Sequence, residues 1–149
     1  MSDRVGNDVV LDTLRLKAVL DNVPVATLWV AEAARGAGLD RRTVSQIELA
    51  VDEACANVVE HAYRAGDAGE MEVTCGLEVR GFVVRVRDWG TGFDPDAVDE
   101  PDVTAPLEER GLGGLGLFLV RQVMDEVGFS FNTERGNELV MVKRLEGDE

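Results

Sequence analysis

Residues 71–88 read MEVTCGLEVRGFVVRVRD, and no other stretch of the chain limits its fold so tightly. Met71, Val73, Cys75, Leu77 and Val79 alternate with other residues, the period-2 pattern of a strand with one buried face. Arg80-Gly81 reads as a tight turn, after which Phe82, Val84 and Val86 resume the alternation. Two alternating runs joined so briefly pair antiparallel, because a parallel pair needs a crossover of about a dozen residues or more. The hairpin has one apolar face, and other parts of the chain must cover it.

Helices are the candidates for that cover. Pro24 suits the opening turn of one that continues through VATLWVAEAARG and stops at Gly36 or Gly38. Asp40 is the expected N-cap of a second, whose apolar row Ile47, Val51, Ala54, Val58 and Ala62 leads to an end near residues 64–69. A third is expected from about Leu115 to Val127. Residues 9–19 are a candidate first strand. FSFNTE and ELVMVKRL, joined by a turn at Arg135-Gly136-Asn137, are the candidate last two. The order strand, helix, helix, hairpin, long connection, helix, hairpin predicts an α+β fold. It is a two-layer α/β sandwich whose mixed, mostly antiparallel sheet carries helices on one face. The other face is expected to be partly exposed, with Arg85 and Arg87 between valines. A single domain over residues 1–149 is expected, with flexible ends at about 1–8 and 146–149.

Composition excludes several classes. Asp and Glu outnumber Lys and Arg by 29 to 15, a formal net charge of −14. That charge argues against direct nucleic-acid binding, which needs basic patches, and suits either simple solubility or a basic protein partner. The two cysteines, Cys55 and Cys75, lie far apart beside a single histidine, so a structural zinc site is not expected. No stretch approaches the roughly 20 apolar residues that span a bilayer. The N-terminus MSDRVGNDVVLD lacks the apolar core of a signal peptide, so a cytoplasmic location without a membrane partner is expected.

Four features carry chemistry. On the second helix Glu53, Asn57 and His61 recur every four residues, a polar row bordering the apolar one. Asn57 offers a neutral carbonyl oxygen of the kind Mg²⁺ accepts alongside water and phosphate oxygens. Glu53 is placed to take a proton. His61 is either a phosphate contact or a packed, hydrogen-bonding side chain. Asp88 ends the apolar row Phe82, Val84, Val86, and a carboxylate on that face needs a donor. An adenine amino group helped by an ordered water would serve, and so would the backbone amides of the DWGTG turn. Gly90 and Gly92 flank Thr91 there and let a flat ring approach the backbone. From residue 89 about 20 residues show no periodicity, the mark of a functional lid or binding loop. Gly111, Gly113 and Gly116 in RGLGGLGLFLV spell G-x-G-x-x-G, but a dinucleotide fold requires a strand before it and TAPLEER is not one. What remains is a glycine-rich turn feeding a helix N-terminus, an anion site in any fold.

Glu53-x-x-x-Asn57, Asp88-x-Gly90-x-Gly92 and Gly111 to Gly116, in this order, resemble the boxes of the Bergerat-fold (GHKL) ATPases, which include gyrase, MutL and histidine-kinase catalytic domains. ELAVDEACANVVEHAY and RGLGGLGLFLVRQVMDEV are most similar to the bacterial anti-sigma factor serine/threonine kinases, over about residues 12–145. The resemblance implies the Bergerat ATP-binding fold and the cofactors ATP and Mg²⁺. It implies Glu53 as catalytic base, Asn57 as Mg²⁺ ligand and Asp88 at the adenine amino group beside Gly92. Gly113, Gly114 and Gly116, with Gly111 and Leu115, would form the phosphate loop, and residues 93–112 the ATP lid. His61, Gly90 and Arg110 would border the nucleotide, Arg110 near the γ-phosphate or a partner. The implied function is a kinase that phosphorylates an anti-anti-sigma (STAS-type) protein and sequesters a sigma factor, usually as a homodimer. A nucleotide-gated binding module without kinase activity is the alternative. One departure is visible: many relatives carry Gly-Thr before the last strand, where this chain has Gly136-Asn137.

Overall fold

The computed structural model describes residues 11–63, 69–90, 114–132 and 135–145. The hairpin forms as its alternation requires. Strands β2 (Glu70–Glu78) and β3 (Gly81–Asp88), numbered from a first strand β1 (Asp12–Lys17), pair antiparallel from Met71 opposite Asp88 to Glu78 opposite Gly81. The connection is Val79-Arg80 rather than Arg80-Gly81. Gly81 already belongs to the ladder, at φ +137°, with the Lys143 carbonyl where a Cβ would stand. Val79 is therefore fully outside the core, and the buried row of β2 ends at Cys75. β1 covers the free edge of β2. On the other side β5 (Gly136–Lys143) pairs with β3, and β4 (Glu126–Asn132) pairs with β5. The order is β1-β2-β3-β5-β4, and every pairing among the described strands is antiparallel.

Helices α1 (Val23–Gly36), α2 (Arg41–Asn57) and α3 (Gly114–Val123) form the second layer. Met71, Val73, Cys75, Phe82, Val84, Val86, Leu139 and Met141 of the sheet share one core with Ala26, Val30, Ala34, Ile47, Val51, Ala54 and Val120 of the helices. Buried positions on α1 and α2 are rich in alanine, so these two helices can pack closely. The Asp40 side chain caps α2 as expected, accepting the Thr43 N–H at 2.8 Å.

Three boundaries differ from the sequence reading among the described residues. α3 stops at Val123, and Val127 lies in β4 opposite Met141. The Asp125 N–H already donates to the Val142 carbonyl, and Asp125 Oδ2 accepts the Arg144 N–H at 2.6 Å. The first strand covers only Asp12–Lys17 of the expected 9–19, with residues 9 and 10 outside the described part. α2 does not run on as an α-helix: residues Val58–Ala62 form a π turn, and Tyr63 is extended.

The outer sheet face is less open than its arginines suggest. Val83 and Val142, opposite one another on β3 and β5, are 0% and 1% exposed there. Arg85 Nη2 reaches Glu78 Oε2 at 3.1 Å, passing the Val83 row on the way. Glu78 also binds Arg80, which binds Glu126, which binds Arg144, so an ion network overlies these valines. Charged side chains shield the apolar strip with their aliphatic stems, a job given to helices on the other face. No helix among the described residues is long and apolar enough to cross a membrane.

Candidate functional site

Where α2 passes over the ends of β3 and β5, the two layers part into a narrow cleft of ≈ 50 Å³. Ala54, Asn57, Val58 and Ala62 line it from the helix side. Val86, Asp88, Asn137, Glu138 and Leu139 line it from the sheet, with Phe129 of β4 closing one wall. Apolar walls with a few converging polar groups are what a flat heteroaromatic ligand needs.

Asp88 lies at the polar end and is the only charged residue among the described ones that is buried. Burial raises its pKa, while the Asn137 amide and the Gly90 N–H act in the opposite direction by donating to the carboxylate. Both donors reach the same oxygen, Oδ1: Gly90 N at 2.9 Å and Asn137 Nδ2 at 3.0 Å. Oδ2 has no donor among the described residues. Of the two expected sources of a donor, the backbone of the DWGTG turn supplies one, the Gly90 N–H to Oδ1.

The chain on either side of Asp88 is held by close approach. The Trp89 N–H donates to Tyr63 Oη at 2.9 Å, and that hydroxyl donates to the Glu70 carbonyl at 2.6 Å, tying the end of the π turn to both strands. A Cβ on Gly90 would collide with the Ala62 carbonyl, standing 2.5 Å from its carbon. Gly136, at φ +87°, would place a Cβ 2.5 Å from the Asp88 carbonyl and 2.9 Å from the Trp89 ring. Arg15 stacks over that ring, 4.8 Å from its centroid.

The expected polar row of α2 is only partly brought to the cleft. Asn57 lines it, and its side-chain amide has no hydrogen-bond partner among the described residues. Glu53, one turn earlier, is half-buried and borders the cleft without lining it. Its pKa is raised, first by burial and then by the nearby charges of Asp52 and Glu60. His61 departs from the row because the π turn advances less angle per residue than an α-helix. It does not line the cleft, and its Nε2 lies 3.8 Å from Glu60 Oε1. Gly114, Leu115 and Gly116 open α3, their side chains outside the described part. Gly92, Arg110, Gly111, Gly113 and the expected lid, 93–112, lie outside the described residues.

Among the described residues no group of three or more His, Cys, Asp or Glu side chains could hold a metal ion. Among the described residues the arrangement fits Mg²⁺ as an ion that arrives with phosphate and water oxygens and takes one protein carbonyl, which the Asn57 amide can give. Sequence reasoning undervalued Asn137. Its place is not a local signal: Asn137 comes opposite Asp88 only when β5 pairs with β3. Tyr63 and the π turn left no periodic signal at all.

The histidine kinase-like ATPase domain family matches residues 16–143. Among curated proteins the chain is similar to "Serine-protein kinase RsbW" of Halalkalibacterium halodurans, 37% identical over 131 residues, covering 85% of this chain and 78% of the relative. It is similar to the protein of the same name from Listeria monocytogenes, 33% identical over 137 residues, covering 89% and 86%. Among solved structures, the RsbU and RsbW domains of Rv1364c from Mycobacterium tuberculosis match with a TM-score of 0.63 at 19% identity. That match covers 90% of this chain and 32% of the other, and it shows a shared fold. The chain belongs to the histidine kinase-like ATPase domain family, and with that family comes the use of ATP.

Proposed function

We propose that this protein is an ATP-dependent protein serine/threonine kinase that phosphorylates an anti-anti-sigma (STAS-type) partner and sequesters a sigma factor, acting in the cytoplasm as a homodimer. The observation that carries the reading is the convergence in one apolar cleft of two polar groups without a partner among the described residues, the Asn57 amide and Asp88 Oδ2. The serine-protein kinase name shared by relatives that align along most of the chain supports the reaction class.

In this reading the adenine ring enters between Val86, Leu139 and Ala62, and its amine donates to Asp88 Oδ2. The phosphates then run along α2 toward the start of α3, where Gly111, Gly113, Gly114 and Gly116 with Leu115 offer backbone amides and Arg110 adds positive charge. Asn57 would hold Mg²⁺, which would supply neutralisation of the phosphate charge. Phosphoryl transfer asks little more of the protein than positioning and a base. Glu53 is that base: its raised pKa makes it a better acceptor for the proton of the attacking hydroxyl. Oxygen of the serine or threonine bonds the γ-phosphorus, the bond to ADP breaks, and the proton passes to the Glu53 carboxylate.

The test uses γ-labelled ATP, Mg²⁺ and a purified anti-anti-sigma protein. Label on a serine or threonine of that partner is expected with the wild-type chain. Glu53→Gln should give none while binding nucleotide within about threefold, since it removes a base and no more than one neutral contact. A partner retained with a non-hydrolysable nucleotide but never labelled would make the chain a nucleotide-gated binding module instead.

A further inference from the structure

Asn137 and Asp88 face each other across the β3–β5 ladder, and the hydrogen bonds around them form a closed set. Asn137 Nδ2 donates to Asp88 Oδ1 at 3.0 Å and to the Gly90 carbonyl at 2.9 Å, and the Gly90 N–H returns to Asp88 Oδ1. Both atoms that face Nδ2 are pure acceptors, a carboxylate and a carbonyl. The Asn137 amide therefore has only one chemically sensible orientation, and both of its hydrogens are consumed inside the protein. Its carbonyl oxygen, Oδ1, has no donor among the described residues, and neither has Asp88 Oδ2. Both residues line the cleft.

We propose that Asn137 determines how the nucleobase is read: among the described residues it presents with Asp88 an edge of two acceptors and no donor, which recognises both hydrogens of an exocyclic amine and gives the adjacent ring nitrogen no donor of its own. The inference rests on the adenine reading of the cleft and refines it. In this arrangement an adenine N6 amine gives one hydrogen to Asp88 Oδ2 and the other to Asn137 Oδ1. Ring N1, an acceptor, meets no donor among the described residues, because the Asn137 amide hydrogens that could have served it are held by Asp88 and Gly90. A 6-oxo base placed the same way sets its carbonyl against two acceptors, and a site built around a donor rejects a ligand that lacks it. Asn137 is also a positioning residue. By holding Oδ1 together with the Gly90 N–H, it fixes the carboxylate plane and so the direction in which Oδ2 points.

The test is calorimetric titration of the full chain with Mg²⁺ and four nucleotides: ATP, 1-deaza-ATP, purine riboside triphosphate, which lacks the amine, and inosine triphosphate. The wild-type protein should bind 1-deaza-ATP within about threefold of ATP, since no protein hydrogen bond is lost. Purine riboside triphosphate should bind at least about tenfold more weakly, because it leaves two acceptors in the cleft without a donor, and inosine triphosphate more weakly still. Asn137→Ser supplies a hydroxyl able to donate toward N1, and should raise the penalty for 1-deaza-ATP to about tenfold. A purely structural Asn137 would leave that ratio unchanged in the variant. Wild-type loss of about tenfold or more on 1-deaza-ATP, with ATP still bound, overturns the base-reading proposal alone. If none of the four nucleotides binds, the adenine reading of the cleft falls with it. The wild-type ranking decides the matter even if the serine variant does not fold.

Discussion

Gly90→Ala should damage the protein far more than a methyl group ordinarily does. Gly90 lies outside the left-handed region, so the requirement for glycine is one of space rather than backbone conformation. The added Cβ would meet the Ala62 carbonyl group, 2.5 Å from its carbon and 3.0 Å from the Ala62 Cβ, and this is backbone that cannot rotate away. Relief requires the π turn and the end of β3 to separate. Overpacking of this kind costs about 1–3 kcal/mol. Separation also moves the Gly90 N–H from Asp88 Oδ1, and loss of a hydrogen bond to a buried charged group adds about 1.5–3 kcal/mol. A combined loss near 3 kcal/mol corresponds to a fall in Tm of roughly 6–12 °C for a chain of this length. Thermal unfolding followed by circular dichroism, without nucleotide, reads it directly. Gly128→Ala is the control, since a Cβ there meets nothing within 4 Å, and its Tm should hardly move. ATP affinity should fall with Gly90→Ala and not with Gly128→Ala, because Ala62 and Asp88 are opposite walls of the cleft. A Gly90→Ala protein with unchanged Tm and unchanged ATP affinity would refute this account of why the turn and strand must touch.

Further outcomes follow from the same geometry. The Thr43 backbone N–H holds the Asp40 carboxyl below its usual range. A depressed carboxylate pKa contributes stability above the unfolded value and loses it as pH falls through the folded one. Asp40→Asn keeps the cap, so its acid unfolding curve should lack that contribution, and identical curves for the two proteins would contradict it. Burial pushes the thiols of Cys55 and Cys75 up to about 12. Neither should react with iodoacetamide at neutral pH while the chain is folded, and both should react in denaturant. Rapid native labelling would mean the helix layer opens far more readily than its packing implies.

Much of the fold was legible because strand alternation and helix periodicity report burial directly. The β2–β3 hairpin, the Asp40 cap and the buried row of α2 all follow from such local patterns. What local pattern could not carry was a tertiary contact. Val127 belongs to β4 because Asp125 is already bonded to β5, and no residue near it forbids one more turn of helix. The π turn after Asn57 is likewise set by the fit of Ala62 against Gly90 and of Tyr63 between Glu70 and Trp89. It moves His61 off the row that an unbroken α-helix would have made. The outer face shows the opposite failure. Arg85 between valines reads as solvated, whereas its guanidinium is tied to Glu78 over a buried Val83. In the candidate site, residue types were legible and pairing was not. Asp88 stood out as a carboxylate on an apolar row, but the role of Asn137 appears only once β5 lies beside β3.

The most direct test of the central claim is calorimetric titration of MgATP into the wild-type chain and into Asp88→Asn. The substitution removes a buried carboxylate whose raised pKa marks an unfavourable burial at neutral pH, so it should leave Tm equal or higher. It also turns an acceptor into a potential donor at the atom meant to receive the adenine amine. Saturable one-site binding by the wild type, lost in a variant with undiminished Tm, is the predicted result. Equal ATP affinity in both folded proteins would place the nucleotide somewhere other than this cleft.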